Sequence, residues 1–223
     1  MEGAKFFLKK FITKPSGLIG ISIVAILIFS ALMAEVISPY PPTKMGAGKR
    51  FSQPSSNYVL GTDEFGRDML SRILHGSRLT LMIGATAVGI SLSTGMFIGL
   101  IAAYRKGVLE QILMRGTDVL FSFTETLIAL SCVAVLGPSL ENAVIAVGIA
   151  GIPYYARICY SAALVESAKP YYEACIACGA GHFRLIVYHL LPNVLPTMIV
   201  VSTLGVSTAI LAAAGLSFLG LGA

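Results

Sequence analysis

Two cysteines and two histidines, Cys175, Cys178, His182 and His189, stand in the order C-x2-C-x3-H-x6-H, with Glu173 just before them and Arg184 among them. Thiolate and imidazole are the usual ligands of structural zinc, so the first chemistry to weigh is a metal centre. The spacing argues against it. Zinc modules place a dozen or more residues between ligand pairs so that the chain can wrap the ion, whereas three residues separate Cys178 from His182. A redox pair of the C-x-x-C type belongs with a βαβ pattern, and none surrounds these cysteines. No metal ligand is assigned. The other groups that draw notice are acids: Glu125 lies deep in an apolar run, where a charged carboxylate costs about 2.5–3.5 kcal/mol on insertion scales, and Asp118 lies nearer its end. Neither a G-x-x-x-x-G-K-[ST] phosphate loop nor an H-E-x-x-H metal motif occurs, and no nucleophile stands with a base, so nucleotide binding through a phosphate loop and intramembrane hydrolysis are both set aside.

These residues sit in a chain that is 56% hydrophobic and 12% charged, with a mean hydropathy of +0.82. Soluble domains carry roughly a quarter charged residues, so the composition is that of a membrane protein. The net charge of +5 comes from cations scattered between apolar runs, with no basic stripe interleaved with aromatics, and nucleic acid is excluded as a partner. Cys132, Cys159, Cys175 and Cys178 do not form a secreted disulfide pattern and are expected to be free thiols.

Apolar runs of spanning length must satisfy their own backbone hydrogen bonds in hydrocarbon, so they are expected to be helices. The sequence predicts an all-α polytopic bundle with five spans, at about 18–37, 79–104, 117–137, 142–160 and 194–221. The run from Leu18 to Ile37 follows Lys5, Lys9, Lys10 and Lys14 and is too long for a signal-peptide core, so it is taken as an uncleaved anchor. Lysine and arginine placement favours a cytoplasmic N-terminus. That gives a basic cytoplasmic segment 1–17, a first span 18–37, an external loop 38–78 and a transmembrane domain 79–223 containing a cytoplasmic segment 161–193. The chain stops at LSFLGLGA without a polar tail, and a sixth span is expected after residue 223.

Within these elements, Ala87, Ser91, Gly95, Gly99 and Ala103 recur every fourth residue in the second span, and Gly205, Ala209 and Ala213 repeat the device in the last. Small residues at this spacing let helices approach closely in lipid. Gly66–His75 is expected to lie in the interface as an amphipathic helix, with Met69, Leu70, Ile73 and Leu74 on one side and Arg67, Asp68, Ser71 and Arg72 on the other. Asp118, Ser122 and Glu125 are expected on one face of the third span, with Arg115 pairing to Asp118 at the interface. Between the last two spans, Pro170 should open a short helix that Gly179 and Gly181 end, and His182–Leu191 should form a second, stopped by Pro192.

Four stretches together resemble one family. EACIACG, from Glu173 to Gly179, resembles the E-A-A-x-x-x-G signature of the membrane subunits of binding-protein-dependent ABC importers, and HLLPN, His189 to Asn193, resembles the ending found in their peptide and nickel branch. LGTDEFGRDMLSRILHGSR resembles the segment before that branch's second span, and LSFLGLG its end-of-span signature. The resemblance implies a permease subunit in the bacterial or archaeal cytoplasmic (inner) membrane, pairing with a second permease, two ATPase subunits and an extracytoplasmic substrate-binding protein. It implies that this chain binds no cofactor, with ATP and Mg on the partner subunits, and that Glu173, Ala174, Cys175, Gly179, Gly181, His189, Leu191, Pro192 and Asn193 form the surface that couples to the ATPase. Cys175 replaces the signature's second alanine. Thr124, in SFTET, stands where relatives often have proline, and a straighter third span is expected there.

With that resemblance, Glu125 and Ser122 are expected to line the translocation path, Glu125 meeting the amino end or the metal charge of a cargo, unless Glu125 is held by a structural hydrogen bond. Ser91, Gly95, Gly99, Gly205 and Ala209 are expected to serve helix packing. The expected cargo is a dipeptide or oligopeptide, with nickel as the nearest alternative. A proton-driven secondary transporter, with Glu125 as relay, is disfavoured because no inverted repeat is visible.

Overall fold

The structure, a computed structural model, describes residues 15–221, so Lys5, Lys9, Lys10 and Lys14 lie outside the described residues. Its helices are α1 (Pro15–Leu32), α2 (Ala34–Ile37), α3 (Met69–Arg105), α4 (Val108–Phe121), α5 (Glu125–Leu136), α6 (Leu140–Ser167), α7 (Pro170–Ala177), α8 (His182–Arg184), a π-helical segment Leu185–Leu190, and α9 (Leu191–Phe218). Among the described residues there is no strand beyond an isolated bridge between Thr62 and Asp68. Two compact units divide between Leu81 and Met82, inside α3.

The all-helical class holds, but the five spans are not reproduced. Among the described residues, three helical stretches are long and apolar enough to cross a bilayer: Met69–Arg105, Leu140–Ser167 and His182–Phe218. A fourth span exists only if α4 and α5, bent by 91° to one another, are counted as one. The bend corrects the expectation of a straight third span. Thr124 has an extended backbone (φ −67°, ψ 144°) at the start of α5, so the chain turns there without proline. Asp118 and Ser122 therefore do not share a helix face with Glu125.

In the first unit, α1 exposes almost all of its apolar side chains, as a helix surrounded by lipid would. The segment after α2 is organised by two aspartates. Asp63 accepts the backbone N–H groups of Phe65 and Arg67 at 2.9 Å and forms ion pairs with Arg67 Nε at 2.7 Å and Arg72 Nη1 at 2.6 Å. Desolvation pushes the Asp63 carboxyl upward, but the bonds from Arg67, Phe65 and Arg72 outweigh it and hold that carboxyl well below the usual carboxylate range. Asp68 caps α3, its Oδ2 accepting the Ser71 N–H at 2.8 Å and the Ser71 hydroxyl at 2.6 Å. The separate interfacial helix expected at Gly66–His75 is thus replaced by the first turns of the continuous α3. The polar side of that stretch is only partly the wet one: Asp68 and Ser71 are buried, Ser71 also receiving the Tyr40 N–H, while Arg72 and, on the apolar side, Ile73 are exposed.

The second unit is built around α6, against which α4, α5 and α9 pack. Its fourth-span boundaries widen from the expected 142–160 to Leu140–Ser167, and Pro153 is accommodated inside the helix. Ser139 caps its start, accepting the Asn142 N–H at 3.1 Å. Every member of the four-residue repeat of α3, from Ala87 to Ala103, is buried. The reason is close approach to α6. A methyl placed on Gly95 would lie 2.6 Å from Tyr155 Cβ and 2.8 Å from Ala156 N, and one on Gly99 would lie 2.6 Å from Ala156 O. Ser91 donates across this interface to Gly148 O at 2.5 Å, and Ala156, Cys159 and Ala163 on α6 are fully enclosed.

Candidate functional site

Two places in the second unit gather the polar and strained features. The first is the hairpin from Pro170 to the start of α9. Pro170 occupies the first turn of α7, where its missing N–H costs nothing. Tyr172 is buried and anchors the helix, while Glu173, Ala174, Ile176 and Ala177 face outward. The helix ends in a Schellman pattern: Ala180 N–H donates to Cys175 O at 3.1 Å and Gly179 N–H to Ile176 O at 2.9 Å. Gly179 has φ +78°, a left-handed conformation that other residues adopt at a cost. Gly181, by contrast, starts the next helix with φ −68°, so only Gly179 is a backbone requirement.

Pro192 does not stop the second arm. His182 to Phe218 runs on without interruption, because the π-helical segment Leu185–Leu190 shifts the hydrogen-bond register, with Leu191 N–H reaching Ile186 O. The Asn193 side chain donates to His189 O at 2.6 Å, an added bond within the turn that contains Pro192. Asn193 also donates to the Tyr171 hydroxyl at 3.3 Å, and that hydroxyl donates to Glu166 Oε1 at 2.6 Å. Lys169 Nζ pairs with the other oxygen of Glu166 at 2.6 Å. Burial, then the bond to Glu166, push the Tyr171 hydroxyl up to about 12, which keeps it a donor. The two arms are thereby tied through Tyr171, with Cys175 Sγ 4.0 Å from His189 Nδ1. His182 bonds instead to Tyr104 of α3, and Cys178 is exposed. Leu191 is half-buried beside the buried Leu190.

The second place is a cavity of about 230 Å³ lined by Ser91, Glu125, Gly151, Tyr154, Tyr155, Gly205, Thr208 and Ala209, among others. Glu125 also lines a neighbouring cavity of about 110 Å³ with Phe121, Phe123, Pro153 and Tyr154. Its Oε1 lies 3.8 Å from where a methyl on Gly151 would stand, so the glycine lets the carboxylate near α6. Ser91 and Glu125, expected in different roles, thus meet in one cavity. Ser122 does not join them and donates to Val119 O at the bend between α4 and α5. Asp118 pairs with Arg157 of α6 rather than with Arg115, because the bend and the packing of α4 on α6 bring Arg157 closer. Gly205 is half-buried under Tyr155, and Ala209 is buried.

Residues 95–223, which hold the last turns of α3 with Gly95 and Gly99, the cavity acid and the whole hairpin, match the family described as the binding-protein-dependent transport system inner membrane component. The chain belongs to that family. It is 39% identical to the Di/tripeptide transport system permease protein DppC of Pseudomonas aeruginosa, over 98% of this chain and 74% of the relative. It is 38% identical to the Dipeptide transport system permease protein DppC of Alkalihalophilus pseudofirmus, over 92% and 68%. To the Glutathione transport system permease protein GsiD of Pectobacterium atrosepticum it is 36% identical, over 97% and 71%.

Three side chains stand out in these two places that the motifs did not announce. Tyr155 is 3% exposed and its hydroxyl has no hydrogen-bond partner among the described residues. Its position beside Gly151 and Pro153, where a large polar ring interrupts a run of small residues, was the available signal. Glu166 and Tyr171 carry the hairpin's ties without belonging to the signature. Only the spacing of Glu166, Lys169 and Tyr171 across the helix break hinted at them.

Proposed function

We propose that this chain is a permease subunit of an ATP-driven importer of dipeptides and oligopeptides. It forms the translocation path with a second permease subunit and couples to two separate ATPase subunits through the hairpin Pro170–Asn193. The N-terminus is cytoplasmic and the hairpin faces the cytoplasm, an extracytoplasmic binding protein delivers the peptide, and ATP with Mg is held on the ATPase subunits. The peptide reading is supported by the names of the relatives, which transport dipeptides, tripeptides or glutathione.

The observation that carries the coupling role is the division of α7. Tyr172 is buried, whereas Glu173, Ala174 and Ile176 project outward from a helix whose far end is fixed by Gly179 and whose base is tied through Tyr171 to Glu166 and Asn193. Such a helix is rigid enough to transmit displacement and small enough at Ala174 to seat closely in a cleft. ATP binding draws the ATPase pair together, the hairpin moves with it, and the small-residue contacts between α3 and α6 allow the bundle to rearrange between outward and inward access. Glu125 stands along the path as the charged contact, while Ser122, bonded to Val119 O at the bend, is not placed beside it. Proline at position 179 cannot adopt φ +78° and removes the N–H bonded to Ile176, so Gly179→Pro keeps membrane insertion while uptake no longer follows ATP turnover. Uptake in that variant equal to the parent, in proteoliposomes containing the complete transporter and its binding protein, would remove the hairpin from the mechanism.

A further inference from the structure

The cavity between α3, α5, α6 and α9 offers an unusual set of acceptors. Its charge is the Glu125 carboxylate. Four hydroxyl-bearing residues line it as well, Ser91, Tyr154, Tyr155 and Thr208, and three of them bear on what it can bind. Ser91 spends its hydrogen on Gly148 O at 2.5 Å and Ala87 O at 3.0 Å. Thr208 spends its hydrogen on Gly205 O at 2.9 Å. With their hydrogens spent, both have only lone pairs left to offer a ligand. Tyr155 is enclosed, and its hydroxyl is unpartnered among the described residues. That hydroxyl occupies space that only a glycine at position 205 leaves open: a methyl there would stand 1.9 Å from it. A buried hydroxyl left without a partner opposes folding, so its place in a mainly apolar cavity that also holds a carboxylate points to a group that completes it in another state of the transporter. The volume of about 230 Å³ is many times the roughly 10–15 Å³ needed for a single water.

A primary ammonium has three N–H donors, no acceptor and a positive charge, and so complements one carboxylate surrounded by hydroxyl lone pairs. A nickel ion would call for imidazole or thiolate, and among the described residues no three His, Cys, Asp or Glu side chains converge anywhere. We infer that this cavity is a binding site for the terminal ammonium of the transported peptide, with Glu125 as counter-charge, Ser91 and Thr208 as neutral acceptors, and the Tyr155 hydroxyl as a hydrogen-bond partner of the ammonium or of the adjoining peptide carbonyl. The inference rests on the peptide-import reading and adds to it which end of the cargo the membrane part recognises.

The test uses the assembled permease–ATPase complex in nanodiscs without the extracytoplasmic binding protein, so that only the membrane part can select a peptide. Dialanine raises the unfolding midpoint of the parent complex in a saturable way, N-acetyl-dialanine, which lacks the ammonium, does not, and Glu125→Gln abolishes the shift. Tyr155→Phe accumulates to the parental level and weakens the apparent affinity for dialanine about tenfold or more, whereas a purely structural hydroxyl would leave affinity unchanged. No response of the parent to dialanine, an equal response to both peptides, or a response preserved in both variants overturns the site. ATP-driven dialanine uptake by the complete parent system is measured alongside. Absent uptake contradicts peptide import itself, while normal uptake without amino-end-selective binding contradicts the cavity assignment alone.

Discussion

Gly99 and Gly89 sit on the same helix and differ in what surrounds them. Gly99 faces Ala156 O and Tyr160 N at distances that no side chain can share, while nothing lies within 4 Å of a methyl on Gly89. Gly99→Leu therefore forces α3 away from α6 and lowers stability by about 1–3 kcal/mol or more, and Gly89→Leu leaves it within about 0.5 kcal/mol. Thermal unfolding of the two variants in detergent, side by side, measures the difference. A second residue-scale outcome concerns Asp63. Its carboxyl is held below the ordinary range, so the order it gives the segment around it is fully present above the ordinary aspartate pKa and is lost only as pH falls through the depressed value. Limited proteolysis of residues 38–68 should stay constant from about pH 7 to about pH 5 and rise only in stronger acid, whereas Asp63→Asn should be cleaved faster already at neutral pH. Helical periodicity places Asp68 and Ser71 on the solvent side, and it cannot see that the Tyr40 backbone bonds back onto Ser71 and buries the pair.

Among the elements, those whose cause is local were legible in the sequence. The fourfold spacing of small residues marked the face of α3 that meets α6, since the period of a helix brings Ala87, Ser91, Gly95, Gly99 and Ala103 into one line. Pro170 and Gly179 bounded α7 for reasons of backbone geometry that act within a turn. Two elements were not legible. The 91° break between α4 and α5 arises from an extended Thr124 backbone, which no proline or glycine advertises. The continuity of His182–Phe218 through Pro192 comes with a π-helical register and a side-chain bond from Asn193 to His189 O, neither of which propensity encodes. Asn193→Ala should accordingly cost about 1 kcal/mol locally and speed amide exchange across residues 182–192. Hydrogen exchange that leaves this segment unchanged would assign the register to packing of Leu185 and Leu190 instead.

For the molecule as a whole, the hairpin and the cavity occupy different parts of a unit built on α6, which packs against α5 and α9 around the cavity and runs by way of Ser167 into α7. Under the proposed coupling, a displacement applied at α7 would cross the break at Ala168–Lys169 and reach the walls of the Glu125 cavity along α6. The central claim is that the exposed face of α7 rests on an ATP-hydrolysing partner. Photo-crosslinking from position 173 in native membranes, with the adduct identified by mass spectrometry, tests it most directly. The account predicts an adduct with a chain carrying a phosphate-binding loop, its yield changing when ATP is added. A position 173 that joins no other polypeptide, or that reacts with a membrane-impermeant reagent added from outside, would contradict it.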